Sequence, residues 1–441
     1  MTVSGWFVAL VALGVVPLVV AGDGAWPVFA AWLAFTTLLG VLDLALAASP
    51  RRVAVQRRIA ERVRLGEPAA SELVLRNLGR RTLRGTVRDG WQPSAGVVGP
   101  NRTPVVVPPG EGRRVRLTLV PLRRGDRRSE HVTIRSSGPL RLWARQATLA
   151  APGRLRVLPP FRSRVHLPAR LTRLRELEGR TPVLLRGQGT EFDSLREYVR
   201  GDDVRSIDWR ASARRSDPEV PGAGRLMVRT WRPERDRRIV IVADTSRTSA
   251  ARVADEPRLD TAFEATLLLA ALATHAGDRV DFIAWDRRVR GRVQGATGAE
   301  LTARLVDAMA GIEPELVEAD WAAVPGAVRQ VTSHRSLVVL LTALDSPGAA
   351  RGLLEVLPQL TAKHLVIVAS VTDPGLEDAA RDLADLGAVY RAAAAERGLL
   401  DANRVAAAVR RLGGEVVSAS PEALPPALAD RYLALKAAGR L

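Results

Sequence analysis

Two uncharged stretches at the start of the chain set the strongest limit on what it can fold into. Trp6 to Ala21 reads WFVALVALGVVPLVVA, and after GDGA a second run, Trp26 to Leu42, reads WPVFAAWLAFTTLLGVL and continues through Asp43 to Ala48. Each is close to the ~17–25 residues that a helix needs to cross a bilayer. The first is short, and Pro17 interrupts it. A secretory signal peptide would carry a basic n-region, and MTVSG has neither Lys nor Arg. A buried soluble hairpin is the other alternative. The pattern predicts a transmembrane helical hairpin over residues 1–50. The turn between the runs carries only Asp23, whereas Arg51, Arg52, Arg57, Arg58, Arg62 and Arg64 follow the second. The positive-inside rule then predicts a protein of the cytoplasmic membrane with two spans and its main domains in the cytoplasm. Asp43 is expected at the headgroup level beside Arg51 and Arg52.

Composition narrows the chemistry. With 441 residues, 47% of them apolar, the chain has room for two or three domains with real cores. It has no Cys, which excludes disulfides, thiol nucleophiles and thiolate metal sites. The five His are scattered, with no pair at helical ligand spacing. The net charge of +18 is uneven: 43 bases oppose 21 acids up to residue 240, and 22 oppose 26 beyond it. A basic first half suits an anionic neighbour, and the predicted membrane supplies one.

Residues 51–160 read as an all-β, sandwich-like domain. SELVLRNLG, RVRLTLVPL, HVTIRSS and LRLWARQATL are short alternating stretches, and VPPGEG, RRGDR, SSGP and APGR mark turns between them. Residues 161–237 read as a connector in which LPARLTRLRELEG forms a short amphipathic helix. From 238 to 441 the pattern becomes α/β. RRIVIVADT, Arg279 to Trp285, SLVVLLTAL, HLVIVASV, AVYRAA and EVVSAS are strand-like. Leu259 to Ala276, Leu301 to Ala310, GAARGLLEVLPQL, Leu376 to Leu386, Ala402 to Leu412 and the final stretch are helical. Such alternation predicts a mostly parallel, doubly wound sheet, whose ligand site lies at the carboxyl ends of its strands. Asp244 sits at such an end.

Asp244, Ser246 and Thr248 form an Asp-x-Ser-x-Thr run, close to the metal-ion adhesion motif of von Willebrand factor type A domains. A carboxylate and two hydroxyls are hard oxygen donors suited to Mg²⁺. A structural turn is the competing reading, since Asp and Ser also cap turns. Type A domains usually supply a further Asp after the fourth strand. Here that position is Ala343 in LLTALD, and Asp345 comes two residues late. Thr297 is a candidate for a remaining hydroxyl. No other cofactor is expected.

Gly189 to Arg215 reads GTEFDSLREYVRGDDVRSIDWRASARR. Its Glu191, Arg196, Glu197, Tyr198, Asp202, Asp203, Arg205, Asp208, Trp209 and Arg214, just ahead of a type A-like strand, resemble the signature of the domain of unknown function 58 family. The resemblance extends over nearly the whole chain. It implies a bacterial membrane-anchored protein with a type A-like domain that works with a MoxR-type AAA+ ATPase, and no established catalytic activity. Read from the residues, the signature is either a structural clasp of Arg–carboxylate pairs, with Tyr198 and Trp209 burying their rings, or a partner-docking surface. The function expected is a non-enzymatic, membrane-tethered adaptor or assembly factor. A nucleic-acid or anionic-polymer binder using the basic half is the alternative. No Ser-His-Asp arrangement or Gly-rich phosphate loop points to an enzyme, no aromatic-interleaved basic motif points to nucleic acid, and no small-molecule substrate is identified.

Overall fold

A computed structural model describes residues 1–180, 191–199, 202, 204–214, 226–232 and 237–441. The chain forms two compact units, Met1–Pro160 and Phe161–Leu441.

In the first unit the apolar start is helical, in the segments Gly5–Leu13, Val15–Ala21 and Ala25–Leu46. The last is long and apolar enough to cross a membrane by length and composition; the stretch Gly5–Ala21 is shorter. The two stretches lie side by side. Trp32 Nε1 donates to the Leu10 carbonyl at 3.2 Å, and a Cβ on Gly14 would collide with the Trp32 indole.

The β-domain is a two-sheet sandwich. One sheet runs Thr2–Val3, Trp143–Leu158, Gly125–Ser137, Leu83–Asp89, Arg102–Val107, with Arg62–Arg64 also on Trp143–Leu158. The other runs Val53–Ile59, Ala69–Asn77, Gly112–Leu119, Val97–Val98. Strand alternation turns Leu73, Leu75 and Val115 from one sheet against Val87, Val107 and Ile134 from the other, and these form one buried core.

Two expectations about charged residues need correction here. Asp43, expected beside Arg51 and Arg52, is fully buried, and its partners are backbone groups of the β-domain. Its carboxylate accepts the backbone N–H groups of Leu140 and Leu142, each at 2.8 Å, and of Trp143 at 3.1 Å. A turn with three free N–H groups outcompetes water for a nearby carboxylate. Arg57, counted among the cations flanking the second apolar run, also has a buried side chain. It pairs bidentately with Asp89 at 2.7 Å on both arms, and Trp91 Nε1 donates to the same carboxylate at 3.0 Å.

In the second unit, Leu167–Arg180 is the expected helix. The α/β region holds strands β1 (Arg238–Asp244), β2 (Arg279–Trp285), β3 (Val289–Val293), β4 (Leu337–Leu341), β5 (Leu365–Val371) and β6 (Glu415–Ala419). Its main helices are α1 (Arg258–His275), α2 (Gly298–Ala310), α3 (Val324–Val331), α4 (Pro347–Thr361), α5 (Leu386–Arg411) and α6 (Leu424–Ala437). The sheet order is β3-β2-β1-β4-β5-β6, with β3 antiparallel to β2 and every other pairing parallel. The strands are continuous apolar runs because both faces are covered. Val240, Val242, Val338 and Leu340 pack with α3, α4 and α5 residues such as Val328, Leu357 and Val409. On the face carrying Phe282, Phe263 of α1 meets it edge-on, ring centres 6.1 Å apart. The stretch AVYRAA, read as a strand, lies inside α5. Asp385 caps that helix by accepting the Ala388 N–H at 2.6 Å, and the run to Arg411 has no Pro to break it.

Candidate functional site

β1 lies between β2 and β4, so the sheet order reverses direction beside it. In an open α/β sheet that is the switch point, where a crevice opens at the carboxyl ends of the strands. Asp244 is the last residue of β1, in register with Trp285, and is 2% exposed. Its Oδ1 accepts the Ser246 N–H at 2.8 Å. Its Oδ2 accepts the hydroxyls of Thr248 at 2.9 Å and Thr342 at 2.7 Å, and Ser246 Oγ lies 3.2 Å from Thr248 Oγ1. The structure therefore brings together the three residues named from the sequence and adds Thr342, the first residue past β4. The sequence signal for Thr342 is a hydroxyl directly beside Ala343, the position where type A domains usually carry a carboxylate.

The cluster is held from two sides. Thr245 donates its hydroxyl to buried Asp286 at 3.1 Å, and Asp286 also accepts the N–H groups of Arg287 and Arg288. The segment before α3 runs along the motif, with Glu315 N–H on the Thr245 carbonyl and Arg247 N–H on the Val317 carbonyl, both at 2.9 Å. A cleft of about 350 Å³ opens beside the hydroxyls. Its walls include Ser246, Thr248, Thr342, Ala343 and Trp321, and its rim carries Glu318, Arg351 and Glu355. The first turn of α4 also borders it at Gly348 and Ala349.

As a cation site the donors fit Mg²⁺ in kind, being one carboxylate and three hydroxyls. They carry a single negative charge. Ala343 leaves the expected second carboxylate out, and Asp345 is engaged in an ion pair with Arg258. Thr297 precedes α2 as its N-cap residue and is exposed; no bond joins it to the Asp244 cluster. Among the described residues no group of three His, Asp or Glu is placed to hold a metal. Residues Asp244, Ser246, Thr248 and Thr342 would hold the ion, with water or an outside oxygen completing its shell.

The signature segment has more regular structure than a connector. Glu191–Glu197 pairs antiparallel with Met227–Arg232, and a helix spans Trp209–Arg214. Arg196 pairs with Asp202 at 2.5 Å, and Asp202 Oδ2 accepts the Val199 N–H at 2.9 Å. Asp208 caps the short helix through the Ala211 N–H at 3.0 Å, and its other oxygen takes Arg229 at 2.7 Å. These contacts, the Ala211 N–H first and the Arg229 guanidinium next, hold the Asp208 carboxyl below the usual carboxylate range. Ser212 ties the helix to the strand pair, its Oγ accepting the Met227 N–H at 2.8 Å.

The partner of Asp208 is thus Arg229, outside the signature, and the pair sits at the surface. Glu197 and Arg205 are exposed, and Tyr198 is half-buried. Trp209, expected to bury its ring, is 66% exposed, because the residues its helix turns onto the strands are Ser212 and the preceding Ile207. Asp203, with Gly189, Arg200, Gly201 and Arg215, lies outside the described residues, as do the side chains of Glu191 and Arg214.

Comparison with known proteins gives the following. An uncharacterized protein of Mycobacterium tuberculosis and one of Mycobacterium bovis are each 26% identical over 193 residues, 43% of this chain. The match spans 57% of the length of those relatives. Among solved structures, the CARDB domain of a Pyrococcus furiosus protein is 16% identical and covers 24% of this chain and 94% of its own, with a TM-score of 0.19. A FixG-related protein from Vibrio parahaemolyticus is 10% identical over 24% of this chain and 96% of its own, with a TM-score of 0.18. Residues 194–413, from within the signature through α5 to the turn before β6, match the family model described as protein of unknown function DUF58, and that is the family the chain's C-terminal half is similar to.

Proposed function

We propose that this chain is a non-enzymatic, membrane-tethered adaptor or assembly factor whose switch-point cleft docks a protein partner. The observation that carries the reading is the convergence of Asp244, Ser246, Thr248 and Thr342 beside an open cleft with a charged rim. Such a cluster offers oxygen donors for a bridging cation or for a partner's polar side chain, and a rim of mixed charge suits orientation of a protein surface. The order β3-β2-β1-β4-β5-β6 with an antiparallel β3 supports a von Willebrand type A-like domain, in which this is the ligand-facing edge. The chain's apolar start supports anchorage by two spans, and the Arg51 and Arg52 flank supports the cytoplasmic placement of the domains. The family resemblance supplies the partner, a MoxR-type AAA+ ATPase.

The test is affinity capture with the full chain from detergent-solubilised membranes of its own host. Recovery of an AAA+ ATPase in stoichiometric amount supports the reading. Recovery of no ATPase, with the chain itself folded and abundant, rejects it.

A further inference from the structure

The apolar helices do not lead to the β-domain through a loose linker; both of their roots are sewn into one end of the sandwich. At the start, Thr2–Val3 pairs with Trp143–Ala144, and Ser4 N–H donates to the Leu142 carbonyl at 2.9 Å. At the finish, Asp43 grips the 140–143 turn, Arg145 Nε donates to the Leu44 carbonyl at 2.9 Å, and Arg81 donates to the Ala45 carbonyl. Trp143 lies between the two helices, 5.5 Å from the Phe7 ring and against Gly40, where a Cβ would collide with it. The end of the sandwich that holds the helix roots is therefore fixed in position relative to the helices.

That end is built from the segments 49–52, 78–82, 108–111 and 138–142. Together they carry Arg51, Arg52, Arg80 and Arg141, all exposed, beside the helix-capping Arg81, and their only acid is Glu111. They also expose two large apolar side chains, Leu78 at 62% and Leu140 at 50%. Exposed leucines among arginines, at the root of apolar helices, match the layered chemistry of a bilayer surface, in which acyl chains meet phosphates. The longer helix, 22 residues, is about 33 Å long, the thickness of a hydrocarbon core.

We propose that this end of the sandwich is a lipid-headgroup surface. Leu78 and Leu140 dip into the interface while Arg51, Arg52, Arg80 and Arg141 bind the phosphates of anionic phospholipids, so that the β-domain is pressed against the membrane. The proposal rests on the reading that the helices span a membrane. It adds that the surface selects anionic lipid, by roughly fivefold for each arginine near the leaflet.

The absence of cysteine makes the test clean. The full chain carrying Leu140→Cys, labelled with an environment-sensitive fluorophore, is reconstituted into vesicles of phosphatidylcholine alone or with a third phosphatidylglycerol, each containing a headgroup-quencher lipid. Resistance to alkaline carbonate extraction is scored in parallel. The expected result is an embedded protein with a blue-shifted, quenched label in the mixed vesicles. Quenching should fall severalfold in pure phosphatidylcholine and in the Arg51→Gln, Arg52→Gln, Arg80→Gln, Arg141→Gln variant. A label that is embedded by carbonate but water-exposed, or quenched equally in both lipids, overturns the proposal and leaves the membrane span standing. Extraction by carbonate overturns the span itself, and the proposal with it. The lipid comparison uses the unsubstituted arginines, so misfolding of the fourfold variant cannot rescue either result.

Discussion

At the residue scale the chain shows how differently two carboxylate–arginine pairs behave. Arg57 and Asp89 have side chains 2% and 1% exposed, and the guanidinium also lies 5.0 Å from the centre of the Trp91 ring. Removing one partner strands the other in the sandwich core, so Arg57→Ala or Asp89→Ala should destabilise the first unit by about 3–5 kcal/mol, read by chemical unfolding of the detergent-solubilised chain. Wild-type unfolding in both variants would show the pair to be dispensable. Asp208, by contrast, caps a six-residue surface helix and meets Arg229 in solvent, so a surface pair of that kind contributes little. The sequence suggested a clasp of Arg–carboxylate pairs within the signature because it shows which charges are near one another along the chain, not that Arg229 of a later strand meets Asp208. The same limit hid Thr342, 98 positions from Asp244, until β4 was placed beside β1. Ala343 lines the cleft beside that cluster, so Ala343→Asp should supply the missing second carboxylate. Millimolar Mg²⁺ should then raise the melting temperature of the variant well above its effect on the wild type, since an ion held at 100 times its Kd stabilises by about 2.7 kcal/mol. An equal response in the two proteins would contradict the assignment of this position.

At the element scale the β-strands of the second unit were legible because burial on both faces writes them as unbroken apolar runs, RIVIVAD and LVIVASV among them. The sandwich strands were legible for the opposite reason, a clean alternation such as that from Ala69 to Asn77. The edge strand β3, VRGRV, has neither signature: Val289 and Arg292 are exposed, Val293 is buried and Gly291 has no side chain, so nothing in the sequence announced it. Edges depend on neighbours. β6 is held at the sheet margin partly by α6, through Arg431 on Glu415 at 2.6 Å, with Arg440 on the other oxygen at 2.9 Å. The Arg431 hydrogen bond is the main reason the Glu415 carboxyl lies below the usual range. A depressed folded-state value contributes stability that is fully present above the ordinary Glu range and is lost as the pH falls through the folded value. Glu415→Gln should therefore melt lower than wild type at neutral pH, with the gap closing as the pH is lowered through that window. A gap independent of pH would assign the loss to packing instead of charge.

At the scale of the whole molecule, the chain forms two units, Met1–Pro160, whose strands alternate, and Phe161–Leu441, whose central strands are continuous apolar runs. The apolar start belongs to the first of the two units; the sequence set it apart as a separate segment because no pattern reveals that Asp43 and Trp143 bind across a hundred residues. A reporter fused after Leu441 tests the proposed orientation: activity confined to the cytoplasm is expected, and periplasmic activity would reverse it. The central claim, that the switch-point cleft is a partner-docking site, is tested most directly by the affinity of the full chain for the proposed ATPase partner when the exposed rim is inverted. Arg351→Glu with Glu355→Arg alters the lip of the cleft and leaves the buried Asp244 cluster in place. The account predicts at least a tenfold loss of affinity with unchanged melting; unchanged affinity in the doubly inverted protein would contradict it.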